Sequence, residues 1–324
     1  MQLFVTIREE SADATLRAIR AIDADHDGVE VRAEELPDLD FAALRGSTVR
    51  PIILTYRGRL VDGATLARAI EAGIDFVDVE FRDGFDRDAV VRHRERVVLS
   101  HHDFEGMERV EEIVEAMDAF GCAHVKVAVT PRDFASNVRL LRLIAPRRSI
   151  IGMGERGLYT RILAPFRGSA LTFAAAADAA APSQLTLENA LAIYGRERGP
   201  LRCDRVFAVA GNPAGHSLSP ALHNGLFREK KVSAAYTIAS VAAFGELEES
   251  FLGGEPCGLS VTAPFKEDAL RFAQRIGAAI GSNAIAAGAV NTLVNAGGKL
   301  LADNTDVDGF ETLIARAGDV RSAA

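Results

Sequence analysis

The sequence predicts an α/β chain in two parts: an eight-stranded parallel barrel in which a helix follows each strand, and after it a smaller α/β domain. Three observations predict it. Short apolar, β-branched runs recur through the first 175 residues about every 24 residues, the spacing of a strand with its crossover helix. Helix-like segments fill most of the intervals. A polar stretch containing Pro and Gly, GRERGPLRCD at 195–204, interrupts the pattern before a second alternation begins.

In order, the strand runs are LFVTI, GVEVR, RPIILTYR, FVDVEF, RVVLSHHD, HVKVAV, SIIGMG and ALTFAA, starting near residues 2, 28, 50, 76, 96, 124, 149 and 170. Between them lie segments such as SADATLRAIRAIDA and GMERVEEIVEAMDAFG. The latter sets Val110, Ile113, Val114 and Met117 on one helical face, and Gly121 follows as a C-terminal stop. Eight such units favour a closed barrel over an open doubly wound sheet, which usually has fewer strands. After the polar stretch come strand RVFAVAG, a helix from Ser219 to about Lys230, strand AAYTIAS, a helix around 242–252, strand GLSVTA, a helix from about Glu267, strands AVNTLV and KLLADN, and a helix from about 307. The predicted organisation is a barrel over 1–196, a linker over 197–204 and a second domain over 205–324.

Composition removes several classes of function. Hydrophobic residues make up 48% and charged residues 25% of the 324, values that suit a soluble chain with a sizeable core. A net charge of −8 gives no basic footprint for nucleic acid. Cys122, Cys203 and Cys257 are scattered and form no CxxC, which argues against a disulfide framework or a cysteine-rich metal site. The start, MQLFVTIREE, lacks a signal-peptide pattern, and no apolar run is long enough for a membrane span. The cytoplasm is the expected location. Lysine stands only at 126, 230, 231, 266 and 299, so Lys126 is conspicuous in the first part.

A barrel keeps its chemistry at the C-terminal ends of its strands. There the sequence places Glu30, Arg32, Arg57, Glu80, His101, His102 and Lys126, a cluster that would be costly to bury without mutual compensation. Lys126 lies in the apolar strand HVKVAV. Desolvated beside other cations, its amine would be partly neutral and able to attack a carbonyl, with His102 as proton carrier. The bland alternative is an ion-paired lysine facing Glu30 or Glu80. Gly152, Gly154 and Gly157 spell G-x-G-x-x-G, but the next strand ends in alanine and Asp178 lies beyond it in an Ala-rich loop. The acidic residue of a dinucleotide-binding fingerprint is therefore out of place.

The pieces E-x-R (Glu30, Arg32), T-x-R (Thr55, Arg57), S-x-H-D-F (Ser100, His102, Asp103, Phe104), K-x-A (Lys126, Ala128), M-G-x-x-G (Met153, Gly154, Gly157), Thr160–Arg161 and A-P-x-Q (Ala181, Pro182, Gln184) occur in order. Together they resemble type I 3-dehydroquinate dehydratase, a Schiff-base-forming (β/α)8, or TIM, barrel of the shikimate pathway. The resemblance implies that Lys126 forms an imine with the C3 ketone of 3-dehydroquinate. It implies that His102 removes the C2 proton and later protonates the departing C1 hydroxyl. Arg161 and Gln184 would hold the substrate carboxylate, and Glu30, Arg32 and Arg57 would line the ring-hydroxyl side. No cofactor or metal is implied. Two departures stand out. Where the family has E-G-G after T-x-R, this chain has V-D-G-A, leaving Asp62 as the candidate helper to the histidine. Where the family has S-A-P-G-Q, it has A-A-P-S-Q, which removes a hydroxyl at Ala180.

The second part carries GNPAGHSLSPALHN, with Ser217 and with Ser219–Pro220 read as N-cap and N1 of a helix, a place that suits a carboxylate. GLSVTAPFKE with Thr262 and Lys266, GAVNT with Asn291 and DNTDVDGF with Asp306 follow. The combination resembles the substrate-binding domain of shikimate dehydrogenase over roughly 205–318, with Ser260 where the family has Asn. By that resemblance Ser217 and Ser219 bind a carboxylate and Thr262, Asn291 and Asp306 bind ring hydroxyls. Lys266 with Asp306 relays a proton while hydride moves to or from NADP. The family's NADP-binding Rossmann domain has no counterpart before Ala324. The expectation is thus a chain truncated before that domain, with dehydratase activity and little hydride transfer. The alternative is that the second domain is a non-catalytic module binding shikimate-type acids, for ligand capture or regulation. The implied partners are 3-dehydroquinate, 3-dehydroshikimate and shikimate, with no nucleic acid and no membrane; a homodimer is left open.

Overall fold

The computed structural model describes residues 1–176, 183–196 and 201–317. Asp178, Ala180, Ala181, Pro182 and part of the expected linker lie outside the described residues. Within them the first part alternates strand and helix eight times. The strands are β1 (Gln2–Ile7), β2 (Gly28–Arg32), β3 (Ile52–Thr55), β4 (Phe76–Glu80), β5 (Val97–Asp103), β6 (His124–Val129), β7 (Arg148–Gly152) and β8 (Leu171–Ala175). The helices are α1 (Ala12–Ala21), α2 (Phe41–Arg45), α3 (Gly63–Glu71), α4 (Arg87–Arg92), α5 (Val110–Asp118), α6 (Phe134–Arg142), α7 (Leu158–Leu163) and α8 (Leu187–Tyr194). Side-chain caps start many of them: Ser11, Asp40, Asp62, Asp86, Asp133 and Thr186 each accept a first-turn N–H.

The eight strands form one parallel sheet in the order β7-β6-β5-β4-β3-β2-β1-β8. The barrel is nearly closed rather than fully laddered, because among the described residues β7 and β8 share no register. The reason is local. The Leu171 carbonyl accepts from the hydroxyls of Ser149 and Ser169, each at 2.9 Å, so side chains bridge the seam. His124 Nε2 donates to the same Ser149 hydroxyl at 2.8 Å. Inside the barrel Phe4, Ile53, Val98 and Phe173 form a small buried cluster separate from the main core. It is an apolar floor under the polar layer that carries Lys126.

The second part comprises β9 (Arg205–Gly211), α9 (Ser219–Glu229), β10 (Ala234–Ser240), α10 (Glu248–Leu252), β11 (Gly258–Val261), α11 (Lys266–Arg275), β12 (Ala279–Ile280), α12 (Ser282–Ala287), β13 (Thr292–Ala296), β14 (Lys299–Asp303) and α13 (Thr305–Ala317). Its sheet runs β10-β9-β11-β13-β14-β12. Strands β10, β9 and β11 are parallel, β13 is antiparallel to both its neighbours, and β12 is parallel to β14. The sequence reading did not separate β12 and α12, a two-residue strand and a short helix with little periodicity to show. It also took Ser219 as an N-cap. In the structure Leu218 is the N-cap and brings no side-chain cap, while Ser219 is already helical and its N–H donates to the Ser217 hydroxyl at 3.2 Å.

The main hydrophobic core runs through both parts. Helix α8 lies against α9, and α7 against β10. Arg228 of α9 donates to the carbonyls of Ala192 and Ile193, which end α8. No helix among the described residues is long and apolar enough to cross a membrane.

Candidate active site

Strand alternation puts every second residue inside the barrel, and that rule builds the first site. Glu30 and Arg32, Asp78 and Glu80, and Ser100 and His102 are inward pairs on β2, β4 and β5; Lys126 and Ala128 are the pair on β6. Register sets Lys126 level with Ser100 and His102 level with Ala128. Above the floor lies a cavity of about 250 Å³ lined by, among others, Glu30, Arg32, Arg57, His102, Lys126, Arg161 and Gln184. The predicted barrel residues, Asp62 and His101 excepted, therefore converge. Asp62 is exposed and caps α3 through the Thr65 N–H at 2.7 Å, and it does not line this cavity. Glu80 takes the place beside the histidine, with its Oε1 3.4 Å from His102 Nδ1. His101 points the other way, into a groove with Phe81 and Phe85.

The amine of Lys126 is buried between two carboxylates, Glu30 at 2.5 Å and Asp78 at 3.3 Å, with the Phe173 ring centroid at 4.1 Å. This corrects the expectation that cations surround it: the nearest groups are counterions. Burial opposes ionisation of Glu30, and the Lys126 charge and hydrogen bond override it, holding the carboxyl at about 2. Thr6 and Thr55 donate to the same carboxylate, and Gln184 donates to Thr6. Asp78 also accepts from Ser100 at 2.5 Å and lies 3.6 Å from Arg57. Sequence reasoning missed Asp78; its signal was a carboxylate two residues before Glu80 in an apolar strand.

His102 is held neutral. Burial lowers its pKa to about 4, with Arg57 and Lys126 adding to the effect and Glu80 opposing it. Arg57 donates to Nδ1 at 2.6 Å, which leaves the ring proton on Nε2. Arg161 is buried, donates to the Gly152 carbonyl at 3.3 Å, and stays charged although burial lowers its pKa to about 10. The buried Nε–H of Arg32 has no partner among the described residues, a donor left for a ligand. The mouth thus offers Arg32, Arg57 and Arg161 to an anion, and the polar layer above the apolar floor offers the Glu30 and Asp78 carboxylates to a cation.

A second cavity, of about 570 Å³, gathers Ser217, Ser219, Thr262, Lys266, Asn291 and Asp306. Lys266 Nζ donates to Asp306 Oδ2 at 2.6 Å, which with the lysine charge holds that carboxyl below its ordinary range. Asn291 is buried and accepts from the Thr305 N–H at 2.9 Å and the Thr292 hydroxyl at 2.8 Å. The segment 152–157 is no pyrophosphate cradle. Its first and last glycines touch backbone to backbone, and its two charged side chains are spent on protein backbone, Arg156 on the Arg132 carbonyl and Glu155 on the Ala214 and Gly215 amides. NADP does not fit there.

Residues 3–198 match the family model described as Type I 3-dehydroquinase. Residues 209–293 match that of the shikimate dehydrogenase substrate binding domain. The chain is 30% identical over 329 residues to the chloroplastic bifunctional 3-dehydroquinate dehydratase/shikimate dehydrogenase of Arabidopsis thaliana, covering 91% of this chain and 54% of that protein. It therefore spans about half the length of that relative. Over 113 residues it is 45% identical to the shikimate dehydrogenase (NADP(+)) of Vibrio campbellii, covering 34% of this chain and 39% of the relative. Among solved structures, 3-dehydroquinate dehydratase from Geobacillus kaustophilus matches with a TM-score of 0.50 at 25% identity, covering 60% of this chain and 92% of that one.

Proposed function

The chain belongs to the type I 3-dehydroquinase family, and on that premise we propose that its barrel dehydrates 3-dehydroquinate to 3-dehydroshikimate through an imine on Lys126. The observation that carries this reading is the placement of one buried amine between two carboxylates, in a cavity shared with a neutral histidine and four arginines, Arg8, Arg32, Arg57 and Arg161.

The Lys126 ammonium passes a proton to a flanking carboxylate, the free amine adds to the C3 carbonyl carbon, and the departing hydroxyl takes that proton as it leaves as water, giving a protonated imine. An environment that binds ammonium also binds that cation, so Glu30 and Asp78 are its counterions. The imine withdraws electrons from C2, and His102 takes the C2 proton. The electron pair moves toward nitrogen and returns to expel the C1 hydroxyl, which leaves as water with the proton from His102. Hydrolysis of the imine restores the amine. Arg161 and Gln184 hold the substrate carboxylate, and an arginine fork suits it; Arg32 takes ring hydroxyls.

Arg57 and Glu80 select the histidine tautomer. With Arg57 donating to Nδ1, Nε2 carries the proton and is no base. When Arg57 turns to a ligand oxygen, Glu80 accepts an Nδ1–H, and the lone pair on Nε2 becomes available. Glu80 is in this sense a positioning residue.

The second cavity binds 3-dehydroshikimate or shikimate, with Ser217 and Ser219 on the carboxylate, Thr262 and Asn291 on ring hydroxyls, and Lys266 with Asp306 as the proton pair. NADP, when bound, would supply the hydride. Small carboxylic acids are the proposed partners of both cavities.

Borohydride reduction in the presence of 3-dehydroquinate should leave a mass adduct on Lys126, and Lys126→Met should abolish both adduct and turnover. An unmodified Lys126 alongside intact turnover would refute the mechanism. His102→Ala should lower kcat by about 10²- to 10⁴-fold while still permitting the adduct.

A further inference from the structure

The barrel reaction does not use the glycines of 152–157, but their geometry does something else. A Cβ on Gly152 would lie 2.6 Å from the Gly157 carbonyl oxygen, and one on Gly157 2.3 Å from the Gly152 carbonyl carbon. Gly154 adopts φ 70°, where a side chain is strained. The chain therefore leaves β7 and enters α7 through a turn that only bare positions allow. Met153 lines the barrel cavity, and two residues later Glu155 reaches the other domain. Its Oε1 accepts from the Ala214 N–H at 2.6 Å, the Gly215 N–H at 2.8 Å and the Ser240 hydroxyl at 3.0 Å. Two successive amides converging on one carboxylate oxygen form an anion nest, here filled by the barrel's own side chain. The loop is bare at the point of contact: a Cβ on Gly215 would lie 2.9 Å from Glu155 Cγ.

That loop walls the second cavity through Asn212, Pro213, Ala214 and His216 and leads directly into Ser217 and Ser219. We propose that Glu155 is a positioning residue for the second cavity: the barrel pins the 212–216 loop and thereby sets the affinity of the two serines for a ligand carboxylate. A loop ordered in advance spares the ligand the cost of ordering it. With its amides occupied by Glu155, the loop leaves the serine hydroxyls as the carboxylate's partners. The inference rests on reading the second cavity as a site for shikimate-type acids, and it adds that this site is built from both domains.

Calorimetry on the whole chain with shikimate and with shikimate methyl ester tests it. Glu155→Ala should raise the shikimate Kd by about tenfold and should narrow the gap between acid and ester. Gly215→Ala, which displaces the carboxylate without removing it, should act in the same direction. Glu155→Gln keeps an acceptor oxygen and should restore both values. Turnover of 3-dehydroquinate serves as the fold control and should stay at wild-type level in all three. A shikimate Kd unchanged in Glu155→Ala, against a wild type that binds, overturns the inference alone. An acid–ester gap that survives a general loss of affinity also overturns it. A wild-type chain without affinity for shikimate overturns the ligand reading beneath, and the inference with it.

Discussion

Buried charge in the barrel cavity is compensated residue by residue, and that compensation has a pH signature. The folded structure refuses a proton at His102 until about pH 4 because burial disfavours the imidazolium, whereas the unfolded ring accepts one near 6.5. Between those values the unfolded chain binds more protons than the folded one, so stability rises with pH. The contribution of His102 is complete above pH 6.5 and is lost as pH falls toward 4, about 3 kcal/mol in all. Urea midpoints measured from pH 7 to 4.5 should fall in the wild type and fall less steeply in His102→Gln; equal slopes would sink this account. Glu80 opposes the depression at His102. Glu80→Gln should therefore move the acid limb of kcat/KM to lower pH and reduce kcat by roughly tenfold or more through the lost tautomer control, with KM little changed. An acid limb that stays in place would remove Glu80 from the proton pathway.

Single strands and helices carry the next level of control, and the seam between β7 and β8 is where it is thinnest. There the Ser149 hydroxyl satisfies the Leu171 carbonyl and receives the buried His124 ring, whose pKa burial lowers to about 3. Ser149→Ala leaves that ring nitrogen without its acceptor, at a cost of about 1–3 kcal/mol, which should lower the melting midpoint by several degrees. A midpoint shift under one degree would show that the seam relies on Ser169 and packing alone. Elements of this kind were only partly legible in the sequence. Strand positions and inward charges were readable, because a period of two assigns Glu30 and Arg32, or Ser100 and His102, to one face without knowledge of neighbours. The partners of Lys126 were not. Whether an amine meets cations or carboxylates depends on register between strands distant in sequence, and Asp78 enters only through the β3–β4–β5–β6 ladder. Asp62 misled because a carboxylate before a Gly-Ala-Thr run is equally a helix cap, and the structure uses it as one. β12 has two residues, too few for any period to show.

Across the whole molecule the two parts share one hydrophobic core, and side chains of the second part both accept from and donate to barrel backbone. Glu246 of the second part accepts from the Phe134 N–H at 3.1 Å, and the Thr237 hydroxyl donates to the Tyr159 carbonyl at 3.3 Å. Helices α7 and α8 are thus buried against α9 and β10 as firmly as elements within a single domain. Independent lobes would instead meet through a small polar contact. Such continuity predicts cooperative unfolding: calorimetry should show one transition whose van't Hoff and calorimetric enthalpies agree. Ligand linkage sharpens the test. Shikimate at a hundred times its Kd adds about 2.7 kcal/mol to whatever unit it stabilises. If the chain unfolds as one unit, the melting signal of the barrel, followed through loss of 3-dehydroquinate turnover, shifts upward with the rest although the ligand sits in the other domain. If the parts are independent, shikimate moves one of two transitions and the barrel melts where it did before. A split thermogram with a stationary barrel would show that the shared core is contact without coupling.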